Sequence, residues 1–222
     1  MDKMKNGAVL RNGTQRTAKE VFEKYAIVIA FLALLIVVSI LCSSFLTPSN
    51  LILVLNQTSI NGILAVGITY VLITAGIDIS IGSVVGLSGV ISAMVVKAGA
   101  PLPVGFLCGI LAGTLVGVII GILVTKGKLA PYIVTLGFLT IIRGAALLIA
   151  GGRPISSLGD AYGWIGNHNV FGVIPCPVII FLIVVVIGHI ILAHLQIGRY
   201  IYAVGGNSNA AEACGISPNK VK

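Results

Sequence analysis

From Tyr25 to Ile77 the chain carries no Asp, Glu, Lys or Arg, a run long enough for two membrane-crossing helices of about 20 residues each. It breaks at Thr47-Pro48-Ser49-Asn50, where proline and small polar residues end one helix and open the next. The apolar pattern predicts spans near 25–45, 51–73, 79–96, 102–125, 131–150 and 175–195. The connectors between them are short and polar or glycine- and proline-bearing, apart from a longer one over 151–174. The expected fold class is thus an all-α membrane protein, a polytopic helical bundle of about six transmembrane helices. Three regions follow: a basic tail over 1–24, a membrane domain over 25–195 and a second tail over 196–222.

Charge placement orients these spans, because cytoplasmic connectors hold the excess of Lys and Arg. Alternate connectors share a side. One side holds Lys3, Lys5, Arg11, Arg16, Lys19, Lys24, Lys126, Lys128, Arg199, Lys220 and Lys222. The other holds only Lys97 and Arg153, and Arg143 falls inside the fifth span. Both ends are therefore expected in the cytoplasm. The first apolar segment is longer than the roughly 7–15 residues of a secretory signal, and Leu41 before Cys42 does not suit a lipoprotein-type site, so it is read as a retained anchor.

Composition agrees with this picture: 57% of the 222 residues are apolar and 9% charged, with a net charge of +8. A water-soluble globule is excluded at that balance, and the basic residues cluster in connectors instead of forming a face for nucleic acid. Cys42, Cys108, Cys176 and Cys214 stand far apart with no metal-ligand spacing, so no metal site is expected and they read as small apolar residues.

Several polar and small residues inside the spans carry more specific expectations. Gly105, Gly109, Gly113, Gly117 and Gly121 place a glycine at every fourth position over roughly 24 Å of helix, a stripe that lets another helix approach closely. Gly82, Gly86 and Gly89 with Ala93 do the same in the third span. Asn56, Gln57, Thr58, Ser59 and Asn61 must face protein or water, since amides in hydrocarbon lack partners. They serve either interhelical hydrogen bonds or the wall of a polar passage, for which Asn56, Gln57 and Asn61 are candidates. In Gly76-Ile-Asp78-Ile-Ser80-Ile-Gly82-Ser83 a lone acid sits between two spans; Asp78 and Ser80 either cap the following helix or shape a gate at a helix break. Arg143 lies about 18 Å along its span from Pro131 and can snorkel outward. The 151–174 connector mixes Arg153, Asp160, Tyr162, Trp164 and His168, as expected of an amphipathic segment at the membrane interface or of an external docking surface.

In the second tail, Asn207 or Ser208 can cap a short helix over 210–214 that Gly215 stops, with Glu212 near its N-terminal end. This tail (GRYIYAVGGN from Gly198, then Ala210-Ala211 and Gly215-Ile216), the GIDISIGS stretch at 76–83 and KGKLAPYIVTLG at 126–137 resemble the permeases of ribose-type ABC sugar importers, within the binding-protein-dependent transport and branched-chain amino acid permease family. The resemblance runs from about residue 25 to the end. It implies that Gly205, Gly206, Asn207, Ala210, Ala211, Glu212, Gly215 and Ile216 form the loop that couples to a cytoplasmic ABC ATPase. It further implies two permease copies around a central path, a sugar-binding protein outside, and residence as a multi-pass protein of the bacterial inner membrane. Permeases of that family continue past this loop with further membrane helices, so the chain corresponds to the N-terminal part of one.

No G-x-x-x-x-G-K-[ST] phosphate loop is present; Gly127-Lys128 lacks the earlier glycine and the following hydroxyl. The implied division of labour therefore puts ATP and Mg on the partner ATPase, with no cofactor on this chain and no enzymatic step of its own. Ribose or a similar monosaccharide is the implied cargo. Two rival readings are an ion-gradient-driven transporter, for which Asp78, between the second and third spans, is the candidate coupling acid, and a rhomboid-like serine protease built on Ser88 and His194. The latter requires nucleophile and base within hydrogen-bond reach.

Overall fold

The computed structural model describes residues 23–222 except 171 and 173. The basic residues from Lys3 to Lys19 lie outside the described residues. Two compact units divide the chain, Met1–Val54 and Leu55–Lys222. The first holds α1 (Glu23–Leu41) and the opening turns of α2 (Pro48–Ile73).

The first span ends earlier than its apolar run, at Leu41 and not at residue 45. Beyond it the backbone turns, with the Phe45 N–H on the Cys42 carbonyl at 3.0 Å. The Thr47 hydroxyl donates to the Ser44 carbonyl at 2.7 Å and the Asn50 amide to the Phe45 carbonyl at 2.8 Å. Side chains of this kind compete for the carbonyls a continuing helix would use. Pro48 then opens α2 at a position that needs no N–H donor.

The second unit holds the rest of α2, then α3 (Ile81–Lys97), α4 (Leu102–Thr125), α5 (Pro131–Ile149), α6 (Asp160–Asn167), α7 (Cys176–His194), α8 (Gln196–Gly206), α9 (Ser208–Ala213) and α10 (Pro218–Val221). A two-residue antiparallel ladder, β1 (Asn169–Val170) with β2 (Ile174–Pro175), closes the loop before α7. Among the described residues five helices, α1, α2, α4, α5 and α7, are long and apolar enough to cross a membrane. The sixth expected span is α3, which at 17 residues covers about 25 Å, short of the roughly 30 Å hydrocarbon core. It starts at Ile81, two residues later than its apolar pattern, because Asp78 holds the preceding backbone out of the helix.

The core is where α3, α4 and α5 meet. Leu87, Val116, Ile120, Val134 and Ile142 are buried together, with Val84, Phe138 and Ala145 packed around them. Little else is buried. Leu148 is 83% exposed and Ile27 85%, each on an apolar helix. Apolar helix faces of that extent are stable only in a medium that does not penalise them, with backbone polar groups satisfied inside each helix. The chain is an all-α polytopic membrane protein.

The α4 glycine stripe is divided. A Cβ added at Gly109 would stand 2.9 Å from the Ser88 carbonyl oxygen, one at Gly113 2.9 Å from Ser88 Oγ, and one at Gly105 would collide with the Val96 side chain. Those three glycines receive α3. At Gly117 and Gly121, as at Gly82, Gly86 and Gly89 of α3, an added Cβ would meet nothing within 4 Å. The α3 face turned to α4 is therefore the row Val84, Ser88, Ser92 and Val96, not its glycine stripe. Here the side chains of α3 fill the trough that the α4 glycines leave, and so gain contacts that lipid would not supply.

Candidate functional site

The stretch between α2 and α3 is shaped by its backbone first. The Gly76 N–H bonds the Val71 carbonyl at 2.9 Å and the Ala75 N–H bonds the Leu72 carbonyl at 3.0 Å, the paired bonds of a Schellman ending. The left-handed position in this ending is filled by Ala75, φ 58°, and not by a glycine. Gly76 is needed for a different reason: a Cβ there would stand 2.9 Å from Val71 Cγ1 and 3.1 Å from the Val71 oxygen.

Asp78 then organises the start of α3. Its Oδ1 accepts the Ser80 N–H at 2.8 Å and the Ser80 hydroxyl at 2.6 Å. Ser80 is fully buried and occupies the N-cap, but its hydroxyl is committed to Asp78 and makes no bond to the helix. The link is tied to α5 by Thr135, itself buried, whose hydroxyl donates to the Ile77 carbonyl at 3.2 Å. Beside this link lies a cavity of about 310 Å³, lined by Tyr70, Thr74 and Asp78, by Gly117 and Gly121 of α4, by Thr135, by Ile201 of α8, and by Val221 and Lys222 among others. Gly117 and Gly121, expected as helix-packing positions, thus face open space next to a carboxylate.

α8 closes on the same place. Gly198, Ile201 and Val204 are buried along one face, and a Cβ at Gly205 would collide with the Ile73 carbonyl oxygen. The end of α8 therefore rests backbone to backbone on the end of α2. The chain next enters α9 through Asn207, whose Oδ1 accepts the N–H groups of Asn209 and Ala210, each at 3.0 Å. Ser208 does not cap; its hydroxyl donates to the Val204 carbonyl at 3.0 Å. Gly215, φ 84°, ends the helix, with Ile216 N–H on the Ala211 carbonyl. Ala211 is buried, while Gly206, Asn207, Ala210, Glu212 and Gly215 are exposed and Ile216 half-buried.

The expected passage residues are not brought together. Asn56, Gln57 and Asn61 lie from the first half to the middle of α2, and about 18 Å of helix separates Asn61 from Ile73. Gln57 and Asn61 are exposed. The Asn56 amide donates to the Gly166 carbonyl in α6 at 3.4 Å, and its Oδ1 is buried without a partner. α6 itself carries the stack of Trp164 on His168, centroids 4.3 Å apart, and Tyr162 lies on Phe106 of α4 at 5.7 Å. Ser88 is packed against α4, and the ring His194 meets is that of His189, 5.8 Å away, so neither has the other as a partner for nucleophilic chemistry.

Thr135, Tyr70 and Gly205's approach to Ile73 were not foreseen. A lone threonine or tyrosine in an apolar helix carries no directional signal, whereas the Gly205-Gly206 pair at the end of an amphipathic helix does signal a close backbone approach.

Among known proteins, the chain is similar to the ribose import permease protein RbsC of Bacillus subtilis, 41% identical over 91% of this chain and 63% of the relative. It is also similar to the D-allose transport system permease protein AlsC of Escherichia coli, 35% identical over 88% of this chain and 60% of the relative. For the L-arabinose transport system permease protein AraH of Escherichia coli the identity is 30%, over 91% and 61%. The chain spans less than two thirds of the length of these relatives. No solved structure matches it. Residues 50–222 match the family described as branched-chain amino acid transport system / permease component. With that match over most of its length, on a polytopic bundle of apolar helices, the chain belongs to this family of transport permeases.

Proposed function

We propose that the chain is the membrane-spanning permease part of an ATP-driven importer that moves a monosaccharide, ribose or a similar sugar, across the bacterial inner membrane. The observation that carries this reading is the pairing of 41% identity to a ribose import permease with a small capped helix, α9, held out from the membrane bundle on α8. In this reading α9 and its flanks, Gly205 to Ile216, enter a cytoplasmic ABC ATPase, which holds ATP and Mg. A sugar-binding protein delivers cargo on the other face, a second permease copy completes the path, and both ends of the chain are cytoplasmic.

The mechanism follows from what α8 touches. A push on α9 passes through α8 as a rigid body to Ile73 and so to the α2–α3 link. That link carries Asp78, Ser80 and the cavity beside them. Displacing it would alter the opening between α2, α4 and α5, and the chain itself makes or breaks no covalent bond.

The test is co-purification of the tagged chain with a P-loop ATPase from membranes. Glu212→Arg and Ala210→Arg change only the exposed face of α9 and leave the Gly205 contact intact. The expected result is ATPase recovered with the unaltered chain and lost with either variant. An ATPase recovered equally from all three would overturn the coupling role of α9, and sugar uptake that collapses with an uncoupler while ATP stays high would overturn ATP-driven import.

A further inference from the structure

A second, open cavity of about 590 Å³ runs between α3 and α5. Gly86, Gly89 and Val90 of α3 and Ala146 of α5 line it, and two cations face it, Arg143 from within α5 and Arg153 from the loop just past that helix. Its floor is bare: an added Cβ at Gly86 or Gly89 would meet nothing within 4 Å. Arg143, Ala146 and Ala150 share one face of α5 at three- and four-residue spacing, so the groove runs about 10 Å along the helix before reaching Arg153.

Among the described residues these charges have no counterpart. Arg143 is the sole charged residue of α5, a membrane-crossing helix, and it is exposed. No acidic residue lines the groove, and among the described residues neither guanidinium has a hydrogen-bond acceptor or an ion-pair partner. A guanidinium on a membrane-facing helix is costly without an anion, and it matches a phosphate with two parallel N–H···O bonds. The rest of the lining is apolar, with Val90, Ala146, Leu147 and Ile155, and Leu147 is 58% exposed. An anion with a long apolar body fills both parts of the site; a free phosphate fills only the charged end.

We propose that Arg143 and Arg153 bind the headgroup phosphate of an anionic membrane phospholipid, whose acyl chain lies in the groove over Gly86, Gly89 and Ala146. This rests on α5 being a membrane helix and is independent of the sugar-import reading.

Phosphatidylglycerol is the probe, with phosphatidylcholine as the zwitterionic comparison, read by native mass spectrometry of the purified chain and by binding in nanodiscs of each composition. The unaltered chain is expected to retain phosphatidylglycerol in preference to phosphatidylcholine. Arg143→Gln and Arg153→Gln should each weaken it about fivefold, as expected for one basic residue near an anionic headgroup. Gly89→Leu keeps both cations but fills the slot, and should also lose the lipid. Equal retention of the two lipids by the unaltered chain overturns the site without requiring any variant to fold. So does displacement of phosphatidylglycerol by millimolar inorganic phosphate, which would mark a free-phosphate site. If the arginine variants keep the lipid but lose capture of an acidic soluble protein, the pair serves protein docking and the lipid site is overturned.

Discussion

At the residue scale, Gly205 and Gly206 are neighbours with opposite surroundings. A Cβ at Gly205 runs into the Ile73 carbonyl, a backbone atom that cannot swing aside, whereas at Gly206 it meets nothing within 4 Å. Gly→Ala inside a helix gains up to about 1 kcal/mol of propensity, while overpacking costs about 1–3 kcal/mol. Gly205→Ala should therefore lower the thermal midpoint in detergent, and Gly206→Ala should leave it unchanged or raise it. Equal midpoints for the two variants would show that α8 does not rest on α2 in this way. Asn207 gives a second residue-level outcome: its side chain is the sole side-chain cap of α9, so Asn207→Ala should cost about 1 kcal/mol locally. Amide hydrogen exchange over 208–212 should accelerate accordingly, without change in α4 or α5.

At the element scale, the α2–α3 link is a short irregular segment held at both ends. Thr135 of α5 holds the Ile77 carbonyl and Asp78 holds Ser80. A typical net hydrogen bond is worth about 1 kcal/mol, so Thr135→Val should loosen the link by roughly that amount while preserving volume. Faster exchange of the Ile79 and Ser80 amides with an unchanged α5 would confirm it. The α3–α4 contact behaves differently, because it depends on missing side chains. Gly109→Leu must push Ser88 and Ser92 away, at a cost of about 1–3 kcal/mol. Gly117→Leu enters open space beside the cavity and should leave the midpoint nearly unchanged.

At the scale of the whole molecule, the proposed orientation puts Cys42 and Cys214 on opposite sides of the membrane, and both are exposed. In single-cysteine variants, a membrane-impermeant maleimide should label Cys42 on intact spheroplasts and Cys214 only after permeabilisation. The reverse pattern would place both ends outside, and with them α9, out of reach of any cytoplasmic ATPase. This measurement also tests the charge count, since it was the eleven basic residues on one set of connectors that oriented the spans.

The apolar spans and the short helix after Asn207 were legible in the chain, whereas α8 and α10 were not. The edges of the legible helices are written locally in proline, glycine and asparagine, as at Pro48, Asn207 and Gly215, and in apolar runs too long for anything but a membrane crossing. The sequence by itself also marked the 198–216 segment as distinctive. Which of two similar glycine stripes receives a neighbour emerges from helix packing alone, since spacing defines a face but not what stands opposite it. The tertiary structure likewise separated Asn56, Gln57 and Asn61 from Asp78 along α2, and joined Asp78, Thr135, Gly117 and Ile201 around one cavity. Those residues come from four distant parts of the chain, and their meeting depends on how helices pack, which no local pattern records.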